Sequence, residues 1–191
     1  MSRTILNLTH ENDRLPVTRE EFAEAEFEEP WRYERAQGRL VVMPPPGWDH
    51  QHVTCWFRNH LGAYMLDHPD LVEEVFQECW AAIDELTDRI PDIAVYLKSS
   101  ADQSKSPERT PDLIFETVSA GAAARRRDYE EKREDYRRFG VREYVIIDRL
   151  EHRLTVLRLA DGEYVESTLG VDETYTSPLL PGLAIPLAGV I

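Results

Sequence analysis

The sequence predicts a mixed α/β (α+β) fold in which a central mixed β-sheet is flanked by helices, with a helix and a hairpin near the N-terminus. Three observations support this prediction. Helix-like and strand-like hydrophobic patterns alternate in blocks along the chain. One nearly continuous apolar run near the C-terminal third is typical of a strand buried on both faces. The 191 residues, of which 42% are hydrophobic, are enough for one core, so a single domain over residues 1–191 is expected.

The first predicted elements are a short helix and a hairpin. Thr18-Arg19-Glu20-Glu21 has the form of a capping box, which predicts a helix that runs to about Glu28. Polarity alternates over Trp31–Glu34 and Arg39–Met43 around Gln37-Gly38. This pattern predicts two strands joined by a tight turn.

The middle of the chain is predicted to form a long helix and then strands. Pro44-Pro45-Pro46-Gly47 ends the hairpin, and apolar residues then recur at helical spacing over Trp48–Leu66. Leu71–Ile83 has the character of a strand with a break near Glu78. The next predicted segments are a strand at Ile90–Leu97, a polar loop from Lys98 to Pro107, and a strand at Asp112–Val118.

The last third begins with a charged amphipathic helix over Ala122–Phe139, for which Gly140 is a suitable C-cap. The remaining predicted segments are a buried strand at Glu143–Asp148, a hairpin of Arg153–Leu159 and Glu163–Leu169 around Asp161-Gly162, and an apolar, Pro-rich tail at Ser177–Ile191 that packs along the body.

Composition excludes several classes of protein. No stretch approaches the length of a membrane span, and the N-terminus has no apolar core of a signal peptide. Cys55 and Cys79 lie far apart without a CxxC motif, so a reduced, cytoplasmic protein is expected. The net charge of −14 argues against a protein that coats nucleic acid non-specifically.

One segment is nevertheless basic. Eight of the 22 Lys and Arg residues lie between positions 125 and 142. One interpretation is a solvated helix face laced with acidic residues. The other is a local patch that holds the DNA backbone, formed by Arg125, Arg126, Arg127 and Arg133.

Carboxylates on two strands point to a metal. The two strands are preceded by Pro91-Asp92 and Pro111-Asp112. Proline suits the first position of a strand because it cannot donate a hydrogen bond to a neighbouring strand. Asp112, Ile114 and Glu116 share one strand face, and Asp92 lies on the strand predicted to be its neighbour in the sheet. Such crowding of negative charge favours a divalent ion, Mg²⁺ or Mn²⁺, bound by Asp92, Asp112 and Glu116. For Asp112 a second interpretation stays open: at the start of its strand it only caps the strand or contacts water.

Lys132 is the candidate for a cation beside this site. Hydrolysis of a phosphodiester needs stabilisation of developing charge and an activated water, to which a metal and a nearby ammonium group both contribute. Asp128 lies four residues before Lys132, however, so the spacing alone favours an ordinary i, i+4 ion pair.

Together these motifs resemble the PD-(D/E)XK nuclease superfamily and, more narrowly, the bacterial "putative restriction endonuclease" family, formerly a domain of unknown function. The resemblance runs from about Thr18 to the end. The matching segments are Tyr33-Glu34, Gly38 to Pro45, Asp49-His50-Gln51, both Pro-Asp strands, Arg127-Asp128 with Lys132 and Tyr136, Gly140 to Tyr144 with Asp148, and Ser177 to Leu183.

The resemblance implies a restriction-endonuclease-like fold and a Mg²⁺-dependent DNA endonuclease that acts as a homodimer. It assigns metal binding to Asp92 and makes Glu116 the acid that precedes the superfamily's lysine. Val118 stands where that lysine would be, and the narrower family has moved the lysine to the following helix, at Lys132.

Accessory residues and other functions stay open. Glu34 either completes a metal shell or is a solvated hairpin carboxylate, and Asp128 is a further accessory acid. His50 either contacts a phosphate or the surroundings of Asp92, or is structural. Two other functions fit the sequence: a catalytically inactive nuclease-fold module for interaction or DNA binding, and a metal-dependent phosphatase acting on a small substrate.

Overall fold

Helices and strands cover most of the computed structural model, which describes residues 5–99 and 107–191. The helices are α1 (Arg19–Glu24), α2 (Trp48–Asp67), α3 (Ala122–Arg126) and α4 (Lys132–Phe139). The strands are β1 (Asn7–Leu8), β2 (Glu26–Phe27), β3 (Arg32–Ala36), β4 (Arg39–Met43), β5 (Val72–Gln77), β6 (Ala81–Asp84), β7 (Thr87–Arg89), β8 (Ile93–Leu97), β9 (Leu113–Thr117), β10 (Glu143–Asp148), β11 (Arg153–Ala160), β12 (Glu163–Gly170), β13 (Thr174–Ser177) and β14 (Leu180–Pro186).

A six-stranded mixed sheet with the order β12-β11-β10-β9-β8-β5 forms the centre. Its only parallel pair among the described strands is β9–β10, and every other neighbour is antiparallel. A parallel pair requires a crossover connection, and α3 and α4 supply it. The predicted mixed α+β fold with a central mixed sheet is confirmed.

A second, four-stranded antiparallel sheet has the order β4-β3-β7-β6. The predicted hairpin forms β3 and β4 in this sheet. The predicted strand over Leu71–Ile83 divides between the two sheets as β5 and β6. Its break lies at Glu78, whose φ of 53° is in the left-handed region. The sequence therefore located the point where the chain leaves the central sheet.

Two apolar layers cover the two faces of the central sheet. On one face α2 and the C-terminal strands pack together, with Phe57, Phe115 and Tyr175 in the same cluster. On the other face Ile114 packs with Tyr136 of α4. The alternation predicted for β9 is thus correct, and it turns the side of β9 that carries Ile114 and Glu116 toward α4.

Several elements differ from the prediction. Helix α1 ends at Glu24 rather than near Glu28, because Glu26 and Phe27 pair with β1. The predicted tail contains β14, which pairs with β13 and contributes Leu180 and Ile185 to the core. The predicted polar loop from Lys98 to Pro107 falls mostly outside the described residues.

The predicted helix over Ala122–Phe139 is interrupted by one π-helical turn, Arg127–Glu131. It ends as expected at Gly140, whose φ of 86° is left-handed and suits glycine. Such π turns occur often at functional sites. Asp128 within the turn and Lys132 after it are both buried.

No helix in residues 5–99 or 107–191 is long and apolar enough to cross a membrane.

Candidate active site

A cavity of about 610 Å³ opens where the hairpin, the start of α2, the ends of two central strands and the interrupted helix meet. Its lining contains a concentration of charged side chains. These are Arg32, Glu34, Asp49, His50, Asp92, Glu116, Arg127, Asp128, Lys132 and Arg149.

The sheet register brings Asp92 and Glu116 together. Strands β8 and β9 are antiparallel with Ile93 opposite Phe115, so Asp92 lies opposite Glu116. Side chains directly opposite each other in a ladder share a face of the sheet. The backbone N–H of Thr117 donates to Asp92 Oδ2 at 2.8 Å, which fixes the aspartate at this position.

Lys132 extends from α4 to the same place. Its Nζ atom lies 2.7 Å from Glu116 Oε1 and 3.1 Å from Glu34 Oε1. Its side chain is only 3% exposed. The phenol of Tyr136, one helical turn further on, also donates to Glu116 Oε1 at 2.7 Å. Lys132 is therefore an interior group that joins the strand to the hairpin.

The pKa values of both Glu116 and Lys132 lie above their ordinary values. Burial raises the pKa of Glu116 to about 7, Lys132 opposes this, and the charges of Asp92, Asp128 and Glu34 add to the rise. Burial would lower the pKa of Lys132, but Glu116, Glu34 and Asp128 outweigh it and raise that pKa. Lys132 accordingly stays an ammonium ion, whereas Glu116 holds a proton more readily than a normal glutamate.

Glu34 is completely buried on β3. It accepts hydrogen bonds from Arg89 Nη1 at 3.0 Å and from the backbone N–H of Ile90 at 3.1 Å. Burial opposes its ionisation, but the charges of Lys132, Arg89 and Arg127 prevail and lower its pKa to about 2. Glu34 is thus an ionised carboxylate that positions Lys132, and not a solvated hairpin residue.

Asp92 is held from three sides. Besides Thr117, Arg32 Nη2 donates to its Oδ1 at 3.1 Å, and His50 Nε2 lies 3.2 Å from its Oδ2. Burial would raise the pKa of Asp92, but His50, Arg32 and Lys132 outweigh it and hold that pKa well below its usual range. Asp92 is therefore the permanently charged acid of the pair that it forms with Glu116.

Asp128 adds a further acid. Burial raises its pKa to about 6, Lys132 and Arg127 oppose this, and the charges of Asp92 and Glu34 contribute to the rise. Lys132 makes its close contacts with Glu116 and Glu34, so the i, i+4 ion pair with Asp128 is not its main interaction.

Asp112 lies elsewhere. It precedes β9, four residues and about 13 Å along the strand from Glu116. Its Oδ2 accepts from the backbone N–H of Leu97 at 2.8 Å, and its Oδ1 accepts from Arg142 at 3.2 Å. The prediction that Asp112 binds the same metal ion is incompatible with this geometry. The side chain ties the start of β9 to β8 and to the segment that leads into β10.

The four arginines predicted to hold DNA are each next to a carboxylate of the chain. The ion pairs are Arg125 with Asp148, Arg126 with Glu131 at 2.7 Å, Arg127 with Asp128 at 3.6 Å, and Arg133 with Glu166 at 2.6 Å. For these side chains the structure matches the interpretation of a helix face laced with ion pairs. Their binding to DNA stays a prediction.

Three residues that contact the predicted acids were assigned no catalytic or binding role from the sequence, although Tyr136 was among the residues that carry the family resemblance. Arg32 lies two residues before Glu34 on the same strand face, a spacing that could have identified it. Tyr136 lies four residues after Lys132, on the same helix face, and gave an equally usable signal. Arg89 gave none, because it reaches Glu34 only through the pairing of β7 with β3.

The donor groups fit a hard divalent ion. Among the residues that the structure describes, no three His, Cys, Asp or Glu side chains form a group that could hold a metal by themselves. Mg²⁺, however, needs only one or two carboxylates when water and substrate oxygens complete its octahedron. Asp92 and Glu116 supply two. Within the described contacts, both hydrogen bonds to Glu116 end on Oε1, which leaves Oε2 for another partner.

The mixed α+β fold of this chain is similar to that of a solved structure. It resembles a crystal structure from Anabaena variabilis ATCC 29413, described as a "putative nuclease belonging to DUF820". The TM-score is 0.72 and the sequence identity 18%, over 90% of this chain and 96% of that chain. At this identity the likeness shows the fold alone.

Residues 19–188 match the Uma2 family, which is described as "Putative restriction endonuclease". The match covers most of the chain, and the protein therefore belongs to the Uma2 family. No curated protein matches the sequence.

Proposed function

We propose that this protein is a Mg²⁺-dependent endonuclease that hydrolyses phosphodiester bonds in DNA. One observation carries the proposal: a buried ammonium group, Lys132, contacts Glu116, which lies opposite Asp92 at the wall of one cavity. Membership of the Uma2 family supports hydrolysis of nucleic acid, and the fold shared with the Anabaena structure agrees with it.

Asp92 and Glu116 would hold the ion, with Mn²⁺ as a substitute for Mg²⁺. When bound, Mg²⁺ supplies stabilisation of the charge that develops on the phosphate and lowers the pKa of water. Asp92 is suited to retain the ion at any physiological pH because Arg32 and His50 keep it ionised. Glu116 contributes its full charge once it loses its proton, near neutral pH.

Lys132 acts beside these acids. Its ammonium group donates hydrogen bonds toward the attacking water or the phosphate oxygens, in a site where burial strengthens each charge. Glu34 positions Lys132, and Arg89 in turn holds Glu34. The three side chains form a chain of contacts from the second sheet to the reacting group, so the ammonium needs little rearrangement during the reaction.

Arg127 is the best placed of the four predicted DNA-binding arginines. It lines the cavity, and its contact with a carboxylate is the longest of the four, with 3.6 Å between Nε and Asp128 Oδ1, which is too long for a hydrogen bond. Its guanidinium is thus the least engaged of the four for donating to a phosphate oxygen. Arg125, Arg126 and Arg133 would have to exchange their carboxylate partners for phosphate, and we assign them a secondary part.

Cleavage of supercoiled DNA in MgCl₂ tests the proposal. We expect Glu116→Gln to lower the rate by about 100-fold or more, as loss of one charged group in an active site does. Glu163→Gln is the matched control, since Glu163 is 78% exposed on β12, and it should cut like the parent.

Equal cleavage by Glu116→Gln and the parent would refute the assignment of the site. A parent that cuts no DNA and gives no heat on titration with Mg²⁺ or Mn²⁺ would instead support the inactive nuclease-fold module. Hydrolysis of small nucleotide esters without cleavage of DNA would support the phosphatase.

We also propose that the enzyme is a homodimer, because cutting both strands of a duplex requires two sites. Light scattering tests this directly: the expected mass is twice the 22.1 kDa of one chain. A mass of one chain under conditions of duplex cleavage would contradict it.

A further inference from the structure

The rim of the cavity carries apolar side chains that the core does not use. Trp48 is the first residue of α2 and lines the cavity, yet it is 81% exposed. Leu150, in the turn between β10 and β11, also lines the cavity and is 52% exposed. Exposed large apolar groups beside a polar cavity are informative, because most of the aromatic residues of a protein are at least half buried.

An ion pair ties these two positions together. Asp49, next to Trp48, accepts from Arg149, next to Leu150, at 2.8 Å. The start of α2 and the β10–β11 turn therefore meet at one part of the rim. Trp48 and the Pro44–Gly47 segment that precedes it thus line the same cavity as Asp92 and Glu116.

The negative charge of the protein makes contacts between aromatic side chains and bases important for binding nucleic acid. The net charge is −14, and the helix residues Arg125, Arg126 and Arg133 each pair with a carboxylate, so the charge of the protein as a whole repels a phosphate backbone. Affinity for nucleic acid then has to come in part from contacts with bases. Stacking on an aromatic ring is the main such contact available to any base, whatever its identity.

We infer that Trp48 stacks on an unpaired base beside the scissile phosphate, so that DNA with unpaired bases at the site of cleavage is bound more tightly than a regular duplex. This inference rests on the proposed nuclease function. The bases of a duplex already stack on one another, and their faces are not available to an indole ring. A cavity of about 610 Å³ has the size typical of a pocket for one small ligand, which suits a single unstacked nucleotide.

Binding of a labelled oligonucleotide tests the inference. A strand without self-complementarity is compared with its blunt duplex, by fluorescence anisotropy in CaCl₂. We expect Trp48→Ala to weaken binding of the single strand about tenfold, which is within the range of one base–aromatic stack, and to leave duplex binding unchanged. Trp48→Phe should recover most of the loss.

Leu66→Ala is the matched control, because Leu66 is 76% exposed near the other end of α2. It should bind both forms like the parent. The single strand should also quench the tryptophan emission of the parent but not that of Trp48→Phe, in which Trp31, Trp56 and Trp80 remain.

Two results would overturn the inference: unchanged single-strand binding by Trp48→Ala, or a parent that binds the duplex as tightly as the single strand. Cleavage of the same strand in MgCl₂ is measured separately. A parent that binds through Trp48 without cutting refutes only the nuclease proposal. A parent that cuts while Trp48→Ala binds and cuts equally well refutes only the stacking inference.

Discussion

At the scale of single residues, the ammonium group of Lys132 is the most demanding feature of the molecule. A buried charge is costly unless it is paired, and here two carboxylates, from Glu116 and Glu34, pair with it. The positions of these three residues therefore depend on one another. The same contacts that stabilise the interior also orient the group that we assign to the reaction.

Replacing Lys132 by methionine should be strongly destabilising. The variant leaves Glu34 and Glu116 buried without their shared cation, so we expect the free energy of unfolding to fall by about 3–5 kcal/mol. Urea unfolding measures it. Arg133→Met is the control, because Arg133 pairs with Glu166 at the surface, and it should cost no more than about 1 kcal/mol. Equal urea midpoints for the two variants would contradict this view of Lys132.

Glu116 and Asp128 give the site a pH dependence of defined sign. The pKa of Glu116 is raised to about 7, so between its ordinary value of 4.5 and 7 the folded state binds more protons than the unfolded state. The contribution of Glu116 to stability is thus fully present below pH 4.5 and is lost as the pH rises through 7. Asp128, with its pKa raised to about 6, acts in the same direction.

We therefore expect Mg²⁺ to stabilise the protein more at pH 8 than at pH 6. Above pH 7 Glu116 is ionised and can bind the ion, whereas at pH 6 a proton competes with it. Thermal unfolding with and without MgCl₂ at the two pH values measures the difference. In Glu116→Gln the Mg²⁺-induced rise in Tm should be small and independent of pH. A parent whose rise is equal at both values would count against Glu116 as a ligand.

At the scale of elements, strand β9 has a different role at each end. Its C-terminal end places Glu116 in the cavity, and its N-terminal end is fixed by Asp112. The sequence predicted that the two acids share a face, which follows from alternation. The sequence did not show that Asp112 and Glu116 contact different groups. Alternation gives the face on which a side chain lies, but not the residues that surround it.

Replacing Asp112 by asparagine should lower the free energy of unfolding and leave the rate of DNA cleavage nearly unchanged. The amide oxygen can still accept from the N–H of Leu97, but the charge that faces Arg142 is lost. We expect a loss of about 1–2 kcal/mol in the free energy of unfolding and a cleavage rate within about twofold of the parent. Urea unfolding and plasmid cleavage measure the two quantities. A loss of cleavage as large as that of Glu116→Gln would restore Asp112 to the site.

Elements with strong local signals were predicted well. The β3–β4 hairpin, α2, β10 and the β11–β12 hairpin each carry turn residues or a periodic pattern of their own. The signals failed where pairing is distant in sequence. Strand β7 is three residues long and is defined by its contacts with β3 and β6. The π turn Arg127–Glu131 also has no signal in a periodicity that assumes regular helix.

At the scale of the whole molecule, the fold class was predicted because the order of helices and strands limits the possible architectures. The acids at the site were predicted from the alternation of two neighbouring strands, whereas the role of Lys132 came from the family resemblance, because spacing alone favoured a helical ion pair. Arg32 contacts Asp92 through packing between the two sheets, and Arg89 contacts Glu34 through the pairing of β7 with β3 in the second sheet. Local spacing could place Arg32 on the face of Glu34, but it could not show either contact, because both partners are distant in sequence. The extent of the single domain stays a prediction.

Charge is the property of the whole molecule with the clearest consequence for binding. The net charge is −14, and the helix arginines lie next to carboxylates. A protein that neutralises many phosphates loses affinity for nucleic acid steeply as the salt concentration rises. For single-stranded DNA, the slope of log K against log salt is about −0.7 for each phosphate contact. The Lys and Arg side chains that line the cavity each lie within 4 Å of a carboxylate of the chain, so we expect few phosphates to be neutralised; they are Arg32, Arg127, Lys132 and Arg149.

We accordingly expect a shallow slope, of about −1 to −2, for binding of single-stranded DNA. Fluorescence anisotropy across a series of KCl concentrations measures it. Arg127→Ala should make the slope shallower by about 0.7, because it removes one phosphate contact. Arg126→Ala is the matched control: Arg126 is 64% exposed and paired with Glu131, so its removal should change the slope much less than that of Arg127. A slope near −5 for the parent, made shallower to the same extent by both variants, would contradict this expectation. It would mean that the surface arginines exchange their carboxylate partners for phosphate, and that the helix face binds DNA.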